Sequence, residues 1–540
     1  MPRWVLVALL LLALPSVALA ADRSLLSAQQ VNTVKALLAG AGTLLLVVRL
    51  ALPRWRQLPA RRRRLWDGAL LGLGLLAAAC WWNLFQFNYP IFGHPSETYH
   101  YYVGSKYFRE LGYTRLYRCT AVADAEAGWR KRVENRYVRD LETNDIVLAA
   151  ALLEHPEDCK QHFTKERWRD FSRDVAWFRT HLPQRRWHMT QTDHGYNGTP
   201  AWGLFGGLLA HTGRATDAQI LALRLIDPLL LLLTWAAVGW TFGWRVLCVA
   251  LLYWGSNYPA QYGWVGGSYL RQVEFAAVLL GICLMRRQRM TAAGFLLVLA
   301  ALVRVYPALL LAGPGLQAAG AMLRQRRLWL SAAHRRLLLG GLLALATVLP
   351  LSALDSGGFG AWLQFAENSR VLLDTPLRNH VGLRTVLSYD HEASSRFTRD
   401  TRLADPYARW KRAREEAFAS HRLLFGALVA GFVLLLAAAV RGQPEWVAVV
   451  LGAGLVPVAA ELTCYYSAIL VVFALLWRRH PPAAAALVGL SAAGWLITER
   501  FLFYDEIFTW ISLATLAFVL FATLWVWRAA PTEPESLTTK

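Results

Sequence analysis

The chain has 540 residues, 56% of them hydrophobic and only 17% charged, with 24 tryptophans. A soluble chain of this length divides into several separately packed domains; here the apolar residues come instead as repeated runs of about 17–25, the length that crosses roughly 30 Å of hydrocarbon. The net charge of +21 does not mark a nucleic-acid binder, because the basic residues lie in short tracts between those runs, at 54–64, 286–289, 324–327, 334–336 and 478–480.

In lipid, only helices and closed barrels satisfy every backbone group, and these runs are too long and continuous for barrel strands. The expected class is an all-α polytopic membrane protein of about thirteen transmembrane helices. Residues 1–20, MPRWVLVALLLLALPSVALA, combine Arg3, an apolar core and small residues at Val17–Ala20. They read as a signal peptide or as a retained signal anchor, and residue 21 then begins outside. Residues 21–88 hold the first mature spans, near 29–51 and 66–88. Residues 89–216 form a large periplasmic or exterior loop domain. Residues 217–353 hold spans near 218–242, 246–258, 269–285, 291–303, 306–323 and 337–353. Residues 354–420 form a second exterior loop. Residues 421–528 hold spans near 421–441, 444–460, 463–478, 481–498 and 505–528, and 529–540 form a cytoplasmic tail. On this path every basic tract falls inside an inner or plasma membrane, where short basic loops face the cytoplasm and anionic headgroups.

The two exterior segments contain 24 of the 36 acidic residues, so polar chemistry is sought there. NDIVLAAALLEH (144–155) reads as one helix, and KERWRDFSRDVAWFRTHL (165–182) as another with an aromatic and aliphatic face. Cys80, Cys248, Cys283 and Cys464 lie in or beside spans. Cys119 and Cys159 lie outside, where oxidation is permitted, and form either a disulfide or two buried thiols. There is no metal-type cysteine spacing and no glycine-rich phosphate loop.

The stretch GHPSETYHYYVGSKYFRELGY (93–113) follows the second span. A helix from Glu97 puts Glu97 and His100 on one face, three residues apart. Glu97 there suits a general base with His100 orienting it. Tyr101, Tyr102 and Lys106 are candidate sugar contacts. An interfacial aromatic belt with Glu97 as a helix cap explains the same residues. QTDHGYNGTP (191–200) adds Asp193, His194, Tyr196 and Asn197. WVGGSYLRQ (264–272) adds Arg271, LVRVYP (302–307) adds Arg304 before Pro307, and TPLRNHVGL (375–383) adds Arg378, Asn379 and His380. A lone arginine at a helix end snorkels. Four polar clusters on one membrane face, two of them at helix breaks, point to a cavity instead. Arginine's planar fork suits phosphate, so the set suits a reaction on a phosphate-linked lipid.

Many spans, a large first outer segment opening with an acid, and the arginine–proline break in LVRVYPALLL resemble the GT-C glycosyltransferases, integral membrane enzymes that use polyprenyl-phosphate sugars. The break is similar to that of the polyprenyl-phosphate-mannose-dependent mannosyltransferase branch, and TPLRNHVGL to that branch's asparagine–glycine stretch. The resemblance implies a sugar donor on a polyprenyl phosphate, a glycan or lipid acceptor, no nucleic acid, and Glu97 as the catalytic acid. Many members carry two adjacent acids where this chain has Glu97 with His100, which leaves Asp193 and Asp145 as alternative bases. The sequence requires no cofactor; a Mg or Mn ion is compatible but lacks the paired acids that would hold it. A transporter or flippase for a lipid-linked glycan is the alternative, with Arg224 and Asp227 as a deep pair, although no internal repeat supports it. A ligase would share the site chemistry. A membrane scaffold would leave the outer arginines unused.

Reporters fused near Arg62, Arg287, Arg326 and Arg479 are expected to read cytoplasmic, and those near Asp158 and Asp390 exterior. An exterior signal at Arg326 would move the Arg304 break away from the site.

Overall fold

The computed structural model describes residues 26–52, 57, 59–87, 93–328 and 330–529. The expected signal segment at 1–20 and the tail after Ala529 lie outside them. Among the described residues the chain is helical, with two short two-stranded sheets. Six helices are long and apolar enough to cross a membrane: Ala28–Ala51, Asp217–Phe242, Ala332–Asp355, Ala408–Ala439, Pro481–Arg500 and Tyr504–Arg528. Shorter apolar helices, among them Met290–Val303 and Cys464–Arg478, complete the bundle. The protein is an all-α, membrane-embedded chain.

The bundle core runs from Leu38 to Val526 and is built from Leu, Val, Ala and aromatic side chains. Lipid is as apolar as leucine, so close backbone approach rather than hydrophobic burial drives helix pairing there. Gly255 lets Trp244–Ser256 lie on Ala60–Trp81: a Cβ at that position would stand 1.9 Å from the Ala77 carbonyl oxygen. Gly340 does the same for Ala332–Asp355 on Met290–Val303, where a Cβ would stand 1.8 Å from the Thr291 oxygen.

Two breaks interrupt this packing. Met290–Val303 stops at Arg304, whose backbone is extended (φ −144°, ψ 124°), and the chain rewinds tightly through Tyr306–Leu311 before Ala312–Gln325. Pro307 has no N–H to continue the first helix. The second break lies between Trp244–Ser256 and Val273–Arg286. Gly267 there has φ 74° and Leu270 φ 53°, a left-handed conformation that an L side chain adopts only where its surroundings enforce it.

The long polar segment 93–216 folds as a helical domain. Pro95 opens the helix Pro95–Lys106, and His94 caps it by accepting the Glu97 N–H on Nδ1 at 3.2 Å. The helix Lys165–His181 forms where its sequence suggests, burying Phe171, Val175 and Phe178. NDIVLAAALLEH does not form one helix. Asn144 turns the chain at φ 66°, Ile146–Leu148 pairs antiparallel with Tyr137–Arg139, and only Ala149–Leu152 coils. The apolar run has the length of a helix, but its β-branched start finds a strand partner and tertiary pairing overrides propensity. Cys119 and Cys159 are joined in a disulfide, with Cα atoms 5.4 Å apart.

This domain shares its core with the breaks. Tyr99, Tyr101, Phe178, Trp187 and Trp202 cluster with Tyr269, Leu270 and Val303. Trp202 Nε1 donates to the Leu270 carbonyl at 2.9 Å, Thr199 Oγ1 to the Val303 carbonyl at 3.2 Å, and the His94 N–H to the Gly267 carbonyl at 2.9 Å. Backbone groups freed by the breaks are thus satisfied by the helical domain, as buried polar groups require. The second polar segment attaches separately. His380–Val381 pairs with Leu462–Thr463, and buried Glu461 accepts from Thr385 at 2.8 Å and from Arg414, with His380 Nδ1 3.5 Å away.

Candidate functional site

The site is the seam between the helix Pro95–Lys106, the turn 193–199 and the two breaks. Tyr101 is its centre. The hydroxyl accepts from Arg271 Nη1 at 2.7 Å and from Arg304 Nη2 at 2.7 Å, and donates to Asn197 Oδ1. Both guanidiniums also lie near the Tyr101 ring, 4.6 and 5.1 Å from its centroid. Tyr101, Arg271 and Arg304 are all at least 95% buried. Asn197 accepts weakly from Arg304 as well, at 3.5 Å.

Glu97 lies one turn before Tyr101. Its Oε2 stands 3.1 Å from Arg271 Nε. The pair is close enough for strong attraction but not aligned as a hydrogen bond, so both atoms retain unmet hydrogen-bonding capacity, as does Arg304 Nε. Glu97, His100 and Asp193 offer ligand-type atoms within 4.8 Å of one another. His100 is held from its far side: Nε2 lies 3.2 Å from the Thr190 carbonyl and 2.8 Å from the Tyr117 hydroxyl. Two carboxylates and one imidazole can hold a divalent ion or share a proton, and a carbonyl behind the imidazole is the usual support for either role. Asp145, the other alternative base, instead accepts from the Asp140 N–H at the turn of the small sheet through its backbone oxygen.

The remaining candidate residues divide. Tyr196 is buried, packed edge-on to Tyr101 at 5.7 Å and stacked on Tyr113 at 5.8 Å. His194 follows Asp193 and takes its backbone N–H to the Asp193 carboxylate at 2.9 Å. Tyr102 and Lys106 do not face this seam. Lys106 Nζ donates to Asp174 at 2.8 Å, to the Tyr102 hydroxyl at 2.8 Å and to the Gly213 carbonyl, and Tyr102 donates to that carbonyl too. A buried ammonium needs such partners, and this one ties the domain together. Arg378, Asn379 and His380 make their contacts elsewhere. The Arg378 guanidinium lies 3.9 Å over the Tyr407 ring, the Asn379 carbonyl accepts from the Cys464 N–H at 2.8 Å, and His380 faces Glu461. Arg224 and Asp227 do not pair with each other: Arg224 Nε donates to Thr98 Oγ1 at 3.1 Å, and Asp227 accepts from the Arg271 N–H at 2.9 Å.

A cavity opens beside Arg271. Trp81, Trp254, Tyr306, Tyr465 and Tyr466 supply aromatic walls and Glu274 an acid. The sequence reasoning passed over these residues. An acid three positions after Arg271 inside an apolar helix was the available signal, since such groups are rare in membrane segments. The aromatic walls come from four separate stretches, and no local pattern joins them. No protein-family model, curated protein or solved structure matches this chain.

His94 couples the cap to acidity. Partial burial pushes its imidazole down to about 4, with Arg186 and Arg224 pushing the same way against Glu97. The unfolded chain therefore binds a proton near pH 6.5 that the folded chain refuses, and stability falls as pH drops from about 6.5 toward 4. His94→Asn keeps a capping acceptor but cannot titrate. The melting temperature of this variant in detergent is expected to fall less between pH 7 and pH 5 than that of the parent; an equal fall would remove His94 from the acid response.

Proposed function

We propose that the chain is a glycosyltransferase of the GT-C kind, moving a sugar from a polyprenyl-phosphate donor to a glycan or lipid acceptor at the outer face of the plasma or inner membrane. The reading takes the long helices together with the short and broken ones as about thirteen spans, with both polar segments exterior. The observation that carries it is the convergence of two buried arginines on Tyr101, with an acid in contact on one side and an aromatic cavity on the other. Buried guanidiniums with unmet N–H groups suit an anion of fixed shape, and phosphate matches their fork. Aromatic walls suit the apolar faces of a sugar ring.

The chemistry divides among named groups. The acceptor hydroxyl oxygen attacks the anomeric carbon as the bond from that carbon to the phosphate oxygen breaks. Glu97 takes the hydroxyl proton, and the polyprenyl phosphate leaves with the electron pair. Arg271 and Arg304 bear the charge that grows on the leaving phosphate, an electrostatic role that preorganised donors perform without reorganising. His100, held by Thr190 and Tyr117, and Asp193 set the position and charge of Glu97. A divalent ion on these three groups would polarise the acceptor oxygen.

Purified Glu97→Gln protein is expected to fold, to keep donor binding, and to transfer sugar at least about a hundredfold more slowly, the loss typical of a missing general base. Turnover within a few-fold of the parent, with Asp193→Asn inactive, would move the base to Asp193. Arg271→Lys and Arg304→Lys are expected to weaken binding of a polyprenyl-phosphate sugar about tenfold or more at normal expression, since lysine offers no fork. Unchanged binding would reduce both to interface anchors. Envelope glycans from cells lacking the chain should lose one sugar while its polyprenyl donor accumulates; an unmodified lipid-linked glycan accumulating on the inner leaflet would support a flippase instead.

A further inference from the structure

Glu274 has no part in the chemistry above, yet it is the most unusual group in the cavity. It lies in the first turn of Val273–Arg286, a helix otherwise made of apolar residues up to Met285. It is 4% exposed, its Oε2 has no hydrogen-bond partner, and its Oε1 reaches Arg304 Nε only at 4.0 Å. A buried carboxylate with one oxygen left unmet is costly, and Glu461 and Asp174, buried acids that tie elements together, are not treated that way. Glu461, equally buried, accepts from Thr385 and Arg414, and Asp174 accepts from Lys106, Tyr107 and the Ala215 N–H. The cavity wall beside Glu274 is aromatic, and Arg271, three residues earlier, lines the same cavity.

We infer that Glu274 is the sugar-reading residue of the cavity: it accepts a hydrogen bond from a polar substituent on the donor's sugar, while Arg271 and Arg304 hold the phosphate. This rests on the transferase reading above and adds to it a specificity determinant. The spacing supports the division. Arg271 touches both Glu97 and the cavity, so a phosphate at Arg271 places the attached ring against the cavity walls, of which Glu274 is one. Stacking on Trp81, Trp254 or the tyrosines tolerates many sugars, since each has an apolar face. A single buried acceptor does not, because a sugar without a donor at that position leaves the carboxylate unmet. A hydroxyl and an ammonium substituent both supply the donor.

The test uses the full chain in lipid nanodiscs. The probes are a prenyl monophosphate without sugar, a panel of prenyl-phosphate hexoses and pentoses differing at one hydroxyl, and their amino-deoxy counterparts. The parent is expected to bind the bare phosphate, and to prefer one sugar substituent by about ten- to hundredfold, the range of a hydrogen bond to a charged group. Glu274→Gln, nearly isosteric, should bind the bare phosphate as the parent does and lose most of that preference; Glu274→Ala should lose all of it. Preference for an amino-deoxy sugar that vanishes in Glu274→Gln identifies the ammonium as the group read. Preference for a neutral sugar that weakens identifies a hydroxyl. A Glu274→Gln variant with the parent's rank order of sugars overturns the assignment while leaving the transferase reading intact. A parent that binds no prenyl phosphate overturns both.

Discussion

Two guanidinium groups brought to a single phenol oxygen are the constraint on which the rest of this structure turns. Arg271 and Arg304 come from different helix breaks, are almost fully buried, and stand 2.7 Å from the Tyr101 hydroxyl. Like charges that converge on one atom in a medium of low polarity repel strongly. The arrangement persists because each charge has its own compensation: Glu97 beside Arg271, the ring face of Tyr101 beneath both, and Asn197 accepting the phenol proton. Hydrophobic residues of similar size would fill this space at lower cost, so stability alone does not account for it. Charges kept at such expense inside a membrane protein mark a site.

The compensation requires the two parts of the molecule to fold as one. Tyr101 and Glu97 belong to the helical domain and the arginines to the bundle. Trp202, Thr199 and His94 bond to backbone carbonyls at or next to the breaks, which would otherwise be buried without donors. At the far end of Pro95–Lys106 the Lys106–Asp174 pair fixes the helix axially. Each break is therefore both a mechanical joint and the place where a cation is presented. A continuous helix at either point would satisfy its own backbone and carry its arginine to a different height in the membrane.

Much of this was legible in the sequence, and the reasons are physical. Helix breaks announce themselves locally, through Pro307 and through Gly266–Gly267. Glu97 and His100 lie three residues apart in a segment whose helix needed only Pro95 to begin. Asp193 and the two arginines were found because ionisable groups stand out against an apolar background, and Asn197 through the Asn197–Gly198 turn signal. Other parts were not legible. Whether Tyr102 faces the seam or the domain core depends on a rotation of about 100° from Tyr101 along the helix, and the composition around both is the same. Lys106 looked available because its partner, Asp174, is 68 residues away in sequence. The strand at Ile146–Leu148 depended on a partner at Tyr137–Arg139 that pattern reading does not supply. Arg378, Asn379 and His380 carry a site-like composition, but Tyr407, Cys464 and Glu461 in turn occupy them, and all three partners are remote in sequence.

The contact between Glu97 and Arg271 bears on how such a site would avoid reacting too early. A carboxylate held against a guanidinium is engaged by it and not open to an acceptor hydroxyl. The same guanidinium is the natural partner of a phosphate, which offers it two oxygens in the plane of its fork. On the transferase reading, donor binding would draw Arg271 toward the phosphate and lessen its hold on Glu97, freeing the carboxylate when a sugar is in place. The loose alignment of the pair, 3.1 Å apart yet off the hydrogen-bond line, suits a contact made to be exchanged. A well-formed bidentate pair, like Arg245 with Asp67 at 2.7 and 2.6 Å elsewhere in the bundle, would resist that exchange. On the transferase reading, proximity without alignment would let one arginine attend to the base and the leaving group in turn, with Arg304, which has no such contact with Glu97, holding Tyr101.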